Sequence, residues 1–188
     1  MPVDQALSIT QQRFRALAQG PVEEAAVEDI EGLLRAMGGE LEEGRQLVRK
    51  ARATFAEFGV RLTAVATARD EAMIERYRGD PAAAEHVLRL ACDELRAAGE
   101  TAYLSTGIGE LADALYELGR YDEADEASSE SERLAQQADL TSQIVWRRVR
   151  AKLLARRGEV DEALRLVHEA IEWAETADEL LQTPGDLA

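Results

Sequence analysis

The sequence predicts an all-α fold, a right-handed α-solenoid of antiparallel helix pairs with about nine helices. The first observation is composition, since 46% of the 188 residues are hydrophobic, 5% are aromatic and only 4 are proline. Such a composition, rich in alanine, leucine and glutamate, is typical of long helices and excludes an all-β fold. The second observation is a glycine about every twenty residues, and the third is helical apolar spacing between these glycines.

The glycines divide the chain into segments of helix length. Each glycine is predicted to end a helix with a positive φ angle, so that one helix and its turn occupy about twenty residues. These glycines are Gly20, Gly39, Gly59, Gly79, Gly99, Gly119 and Gly158. Pro21 and Pro81 fall within two residues after such a glycine, where a new helix can begin.

Small residues recur at fixed distances from alternate glycines, which doubles the repeat to about forty residues. Seven residues before, five after and twelve after four of the turn glycines, every position is glycine, alanine or serine. The twelve residues are Gly32, Ala72, Ala112, Ala151, Gly44, Ala84, Ala124, Ala163, Ala51, Ala91, Ser131 and Ala170. Because a larger side chain would push two helix axes apart, these positions predict close contact between the two helices of each pair.

The turn Gly119-Arg120-Tyr121-Asp122-Glu123-Ala124 and the small positions resemble the tetratricopeptide repeat (TPR). Its aromatic or apolar turn position matches Leu41, Tyr121 and Val160, and its second-helix anchor matches Leu88 and Val167. The resemblance covers residues 22–176 and departs from the family in its period of 39 to 40 residues and its mostly unfilled Trp, Tyr and Pro positions. TPR repeats have 34 residues.

The long period and the segment 149–158 also resemble the C-terminal repeat arrays of actinobacterial-type transcriptional regulators and class III adenylate cyclases. Neither the cyclase nor the ATPase part of such proteins occurs in this sequence. The resemblance implies a helical repeat array that binds other proteins. It also implies a regulatory context for that array.

One domain is predicted to span residues 1–188. It comprises a leading helix at 3–19, helix pairs at 22–58, 61–98, 101–137 and 141–177, and a tail at 178–188. The last pair and the tail carry apolar side chains with no predicted neighbour, namely Val167, Ile171, Trp173 and Leu180. They indicate either that the array is longer or that this end pairs with a second subunit as a homodimer.

Charge and motifs exclude several function classes. The net charge of −15 disfavours direct binding to nucleic acid or to a membrane surface. The single cysteine, Cys92, cannot form an intramolecular disulfide and is expected to be buried. No long apolar segment or export signal is present, so a cytoplasmic protein is expected.

No enzyme activity, cofactor or metal is predicted. The glycines at Gly107 and Gly109 lack a preceding strand, so they indicate helix packing rather than a phosphate-binding loop. The histidines His86 and His168 have no ligand set beside them. The paired carboxylates, as in Asp122-Glu123, are typical of a solvated helix and do not indicate an acid-base site.

The first helix of each pair is predicted to line a concave groove that binds a protein or peptide. Its basic, aromatic and methionine side chains suit an acidic or amphipathic partner. The candidate contact residues are Arg69, Met73, Arg76, Tyr77, Asp113, Tyr116, Arg148, Lys152 and Arg156. The basic residues between 147 and 157 have a second interpretation, in which they only neutralise the neighbouring acidic helices.

The predicted function is therefore a non-catalytic protein-interaction scaffold. Two alternatives remain open at the level of sequence. In the first, the chain is the sensory or regulatory arm, as a fragment, of a multidomain transcriptional regulator or adenylate cyclase. In the second, it is a structural dimerisation module. The composition and motifs do not identify the partner.

Overall fold

The computed structural model describes the backbone of residues 1–182 and the side chains of residues 1–176, where every regular element is helical. A leading segment consists of α1 (Val3–Ile9), a π-helical turn (Thr10–Phe14) and α2 (Arg15–Leu17). Eight longer helices follow: α3 (Pro21–Met37), α4 (Leu41–Glu57), α5 (Arg61–Tyr77), α6 (Pro81–Ala98), α7 (Ala102–Glu117), α8 (Tyr121–Leu134), α9 (Leu140–Arg157) and α10 (Val160–Gln182). The predicted all-α fold is confirmed. With the leading segment taken as one stretch, residues 1–182 contain nine helical stretches.

The chain divides into two compact units, Met1–Glu94 and Leu95–Ala188. In the first unit α3 packs on α4, and α5 packs on both. In the second unit α7 packs on α8, α9 packs on both, and α10 packs on α9. A single domain over residues 1–188 stays a prediction. Residues 183–188 of the predicted tail and the side chain of Leu180 lie outside the described residues.

Two helix ends differ from the prediction by three residues or more. Helix α8 ends at Leu134 rather than at 137, because Ala135 adopts an extended conformation with ψ of 116°. No glycine ends this helix, and Asp139 instead begins α9, since its side chain accepts a hydrogen bond from the Ser142 backbone N–H at 3.1 Å. Helix α10 continues to Gln182, beyond the expected end at 177.

The small residues lie where helices approach each other most closely. All twelve are buried except Ala170, which is partly buried. At the crossing of α3 and α4, a Cβ atom added to Gly32 would lie 2.7 Å from Cγ2 of Val48 and 2.8 Å from the Gly44 carbonyl oxygen. No side chain fits there, which confirms the close contact predicted from sequence.

Six of the seven turn glycines have the predicted positive φ, and Gly20 does not. Gly119 is typical, with φ of 74° at the end of α7. The prediction for Gly20 is wrong because its φ of −165° is extended backbone. It precedes Pro21, the first residue of α3, so it begins a helix rather than ending one.

Buried carboxylates hold the helices of the first unit together. Glu31 accepts hydrogen bonds from Gln11 and Arg15 of the leading segment at 2.9 and 2.8 Å. Glu71 of α5 accepts from Arg49 and Arg52 of α4 at 2.6 and 3.0 Å. Both glutamates are buried, so each replaces its lost hydration with charged donors.

Candidate functional site

The candidate site lies in the second unit. Its geometry depends on how α9 packs on α7 and α8. Gly109 of α7 leaves room for Val145 of α9, because an added Cβ would lie 2.7 Å from Cγ1 of Val145. The hydroxyls of Thr106 and Ser142 are 2.6 Å apart across the same contact. The glycine predicted to serve helix packing is confirmed in that role, and α9 is held close against α7.

This packing brings two cations of α9 over a buried carboxylate of α7. The side chain of Asp113, which is 1% exposed, accepts hydrogen bonds from Arg148 at 2.9 Å and from Lys152 at 2.6 Å. Arg148 and Lys152 themselves keep roughly two fifths of their side-chain surface exposed. Asp113 therefore orients two cations that remain partly exposed.

Two tyrosines extend this cluster along α7 and α8. The rings of Tyr116 and Tyr121 meet edge to face with centroids 5.3 Å apart. Lys152 Nζ lies 5.6 Å from the centre of the Tyr116 ring, and the Arg156 guanidinium lies 3.8 Å from that of Tyr121. Cations at these distances are attracted to the ring faces, which fixes a basic and aromatic surface on this side of α9.

Other basic residues of α9 pair with acidic neighbours. Arg147 donates to Glu169 of α10 at 2.9 Å. Arg157 donates to Asp125 of α8 at 2.7 Å. Arg150 donates to Glu132 of α8 at 3.2 Å and to the Ser129 hydroxyl at 2.8 Å. Arg147, Arg150 and Arg157 therefore bind neighbouring helices, and Arg148 and Lys152 do so as well at Asp113. Partner binding by the basic segment stays a prediction.

Beside the cluster, an open apolar groove of about 560 Å³ runs between α9 and α10. Its lining residues are Ile144, Arg148, Ala151, Lys152, Ala155, Val160, Ala163, Leu164, Val167, Ala170, Ile171 and Ala174. Four large apolar side chains of α10 are 40% to 55% exposed in it: Val160, Leu164, Val167 and Ile171. The groove therefore has an apolar floor and a basic edge formed by Arg148 and Lys152.

The structure brings five of the nine predicted contact residues together. Asp113, Tyr116, Arg148, Lys152 and Arg156 form the cluster of the second unit. The other four, Arg69, Met73, Arg76 and Tyr77, lie on α5 of the first unit.

The sequence predicted the α10 side of the groove only in part, since Val167 and Ile171 were expected to be exposed but were not assigned to the peptide-binding groove. A signal was present in the sequence. Val160, Leu164, Val167 and Ile171 follow the i, i+4, i+7, i+11 spacing of one helix face.

A partly buried carboxylate of the first unit, Asp29, lacks such partners. Asp29 of α3 accepts only a long hydrogen bond from Thr67, at 3.4 Å, and its Oδ1 atom is buried with no hydrogen-bond partner. Burial and, to a smaller extent, the nearby charge of Asp70 raise the pKa of Asp29 from 3.8 to about 7, against the lowering effect of the Thr67 hydrogen bond. This carboxyl therefore titrates near neutral pH.

No family model matches the sequence, and no curated protein matches it. Solved structures do match. BtubC (BKLC) of P. vanneervenii is 15% identical with a TM-score of 0.63, over 99% of this chain and 76% of that one. MamA is 16% identical with a TM-score of 0.57, over 94% of this chain and 91% of that one.

A Podosopora anserina protein assigned as a kinesin light chain, with nearly identical TPR-like repeats, is also 16% identical. Its TM-score is 0.58, over 93% of this chain and 85% of that one. The fold is TPR-like. At these identities the similarity establishes the fold alone, and the similarity to long-period regulators stays a prediction. Among residues 1–182, no helix is long and apolar enough to cross a membrane.

Proposed function

We propose that this TPR-like chain is a non-catalytic protein-interaction module that holds an amphipathic helix of a partner protein in the groove between α9 and α10. The observation that carries the proposal is the row of half-exposed apolar side chains on α10, which line the groove together with five alanines. Burying these side chains contributes roughly 25 cal/mol per Å² of apolar surface removed from water. An apolar surface of this kind, with a charged edge, is typical of a protein contact.

The shape of the groove favours a helix over a compact ligand. Its lining on α10 runs from Val160 to Ala174, which corresponds to about 21 Å at a rise of 1.5 Å per residue. A helix of about fourteen residues covers that length. Helix-in-groove recognition uses apolar anchors spaced along one helix face, and the exposed α10 residues have that spacing.

The basic edge favours acidic residues on the partner. Arg148 and Lys152 line the groove, and the buried carboxylate of Asp113 holds them in place. Because their positions are already fixed, less side-chain entropy is lost when a partner carboxylate binds. Electrostatic attraction to this edge would also orient the partner helix in the groove.

The test is a selection of displayed helical peptides on the purified chain, followed by calorimetric titration of the selected sequences. We expect Leu164→Glu to weaken binding at least tenfold, because it places a carboxylate on the groove floor. Leu62→Glu is the matched control, since Leu62 is a 48% exposed leucine on α5 of the first unit. Equal affinities for both variants would rule out the groove.

Dimerisation through the same surface is the competing function, because the exposed apolar face of α10 could also contact a second copy. A mass measurement in solution over a range of concentrations separates the two. A monomer that binds selected peptides supports the partner site. A stable dimer that Leu164→Glu dissociates would show that the surface is a dimer interface and not a partner site. The sensory or regulatory arm stays a prediction.

A further inference from the structure

Within each unit, the same three positions of one helix contact charged residues of the helix that packs on it next. In the first unit this incoming helix is α5, and one of the contacted residues is Glu71, which lies eight residues before Gly79. Arg49 and Arg52 of α4 donate to Glu71, while Arg45 lies 3.5 Å from the neighbouring Glu75. We call Arg45, Arg49 and Arg52 a contact triplet, since they lie six, ten and thirteen residues after Gly39.

In the second unit the same register positions meet with the charges inverted. The incoming helix is α9, and its residue eight before Gly158 is Arg150. The contact triplet after Gly119 is Asp125, Ser129 and Glu132. Arg150 donates to Ser129 at 2.8 Å and to Glu132 at 3.2 Å, and its guanidinium lies 3.7 Å from Asp125. The repeat geometry therefore fixes which positions meet, and the side chains fix the chemistry.

On α10 the contact triplet is apolar and open. The positions six, ten and thirteen after Gly158 are Leu164, His168 and Ile171. All three are exposed in the described structure, and Leu164 and Ile171 line the groove. A helix seated on α9 and α10 as α9 is seated on α7 and α8 would place its equivalent of Arg150 against Leu164 and Ile171. A charged residue there would lose hydration and gain no partner.

The contact of Asp113 with Arg148 and Lys152 indicates which charge a helix packed against α9 should carry. Asp113 lies six residues before Gly119, and it binds the residues ten and six before Gly158, Arg148 and Lys152. The position of α9 that corresponds to Asp113 is Lys152 itself, on the edge of the groove. Acidic residues at the two equivalent positions of an incoming helix would meet this cation.

We infer that the partner helix carries the pattern acidic–x–apolar–x–acidic, with the apolar residue against Leu164 and Ile171 and the acidic residues toward Lys152. This inference rests on the proposed function. It adds that the groove continues the packing of α9 on α7 and α8, with the partner helix running in the direction of α9. The contact triplet selects the apolar residue, and Lys152 selects the charge.

The experiment uses the intact protein and a lactam-stabilised peptide of residues 140–157, the α9 sequence, carrying Arg148→Glu, Arg150→Leu and Lys152→Glu. The control peptide keeps the native residues at these positions. We expect fluorescence anisotropy to give at least tenfold tighter binding for the substituted peptide. The control peptide presents a cation to the apolar triplet and two cations to Lys152, and its affinity should be lower.

The reciprocal variant of the protein sharpens the test. Leu164→Asp, His168→Ser and Ile171→Glu copy the contact triplet of α8 onto exposed positions of α10. With these substitutions the protein should favour a peptide that keeps Arg150 over one that has Arg150→Leu, with the other two substitutions present in both. Circular dichroism melting checks that the variant is folded, and the two-peptide comparison on the unchanged protein tests the pattern independently of it.

The possible failures are distinguishable. If selected peptides bind the groove but the substituted and native α9 peptides bind equally, the pattern is overturned and the proposed function stands. If no helical peptide binds, or if binding is unaffected by Leu164→Glu, the proposed function itself is overturned. A dimer that blocks the groove would make a second copy the occupant and overturn both.

Discussion

The two units join consecutive helix pairs at the same register positions with opposite chemistry. In the first unit buried glutamates of the incoming helix are surrounded by arginines, as Glu71 is by Arg49 and Arg52. In the second unit an arginine, Arg150, is surrounded by a serine and carboxylates. Since an unpaired buried charge is costly, a helix from one unit would fit poorly at the corresponding place in the other. The charges at these positions can therefore specify which helix packs next, although the repeat geometry is the same in both units.

Other buried polar groups differ between the units as well. The second unit pairs small hydroxyls, as when Ser105 and Ser131 each donate to the backbone carbonyl of the other at 3.1 and 2.8 Å. It also neutralises its buried Asp113 with two cations, whereas Asp29 of the first unit has an oxygen without a hydrogen bond. We expect the stability of the first unit to depend more strongly than that of the second on charge substitutions and on pH.

The largest expected effect is from inverting one side of a charge contact. Glu71→Arg should lower the free energy of unfolding by about 3–5 kcal/mol, because it buries a third cation beside Arg49 and Arg52. Chemical denaturation measures the change. The exposed substitution Glu57→Arg on α4 is the control and should change the free energy of unfolding by less than about 0.5 kcal/mol.

Copying the contact residues around Arg150 into the first unit should restore most of the free energy of unfolding that Glu71→Arg loses. The copied set is Arg45→Asp, Arg49→Ser, Arg52→Glu, Glu71→Arg and Glu75→Leu. Equal instability of this variant and of Glu71→Arg alone would show that the two contacts are not interchangeable, and the comparison between units would fail.

An intermediate effect is expected at the close helix crossings. Gly32→Ala should destabilise the protein by about 1–3 kcal/mol, because the new methyl meets the backbone oxygen of Gly44 as well as Val48. Gly109→Ala of the second unit should destabilise the protein less than Gly32→Ala does, since its new methyl meets the side chains of Val145 and Ser131, which can move. Thermal unfolding compares the two variants.

The control for these substitutions is Gly38→Ala, at a helix end with φ of −79°, where alanine is allowed. It should be nearly neutral. A smaller cost for Gly32→Ala than for Gly109→Ala would contradict the difference described for the two crossings.

The smallest effect concerns pH. Because the pKa of Asp29 is raised to about 7, the folded chain keeps a proton that the unfolded chain loses above about pH 4. The free energy of unfolding therefore falls as pH rises from about 4 to 7, and this penalty is fully present above that range. Asp29→Asn should be about 1–2 kcal/mol more stable than the unchanged chain at pH 8 and nearly equal to it at pH 5.

Denaturation curves at the two pH values test this, with Glu24→Gln, an exposed carboxylate on the same helix, as the control. An Asp29→Asn variant whose stability difference from the unchanged chain is the same at both pH values would contradict the assignment. Asp113 provides the contrast within the molecule, since two cations already hold its charge.

Most of the helices could be predicted because their signals are local. Turn glycines such as Gly119 and small residues such as Gly32 are fixed by the conformation or contact of their own segment. The wrong prediction at Gly20 arose because glycine also suits an extended helix start, and the early end of α8 had no glycine to mark it. Cys92 is buried, as predicted.

The candidate site was predicted in part. Arg148, Lys152 and Tyr116 were identified by counting back from the turn glycines, and the structure places them in one cluster. The burial of Asp113 beneath them was not predictable from spacing, because it depends on how closely α9 approaches α7 at Gly109. The groove lining on α10 could not be predicted without the relative positions of α9 and α10, because residues of both helices form it.

The sequence by itself determined the helical segments, their turns and the small positions at which helices of a pair touch. These features depend on local conformation and on a repeated spacing that can be counted. Only the tertiary structure decided which charged side chains meet, since Glu71 and Arg49, or Asp113 and Lys152, are far apart along the chain. Such contacts follow from the packing of one helix pair on the next. Within the part of the chain that the structure describes, the apolar side chains of α10 that line the groove are not covered by that packing.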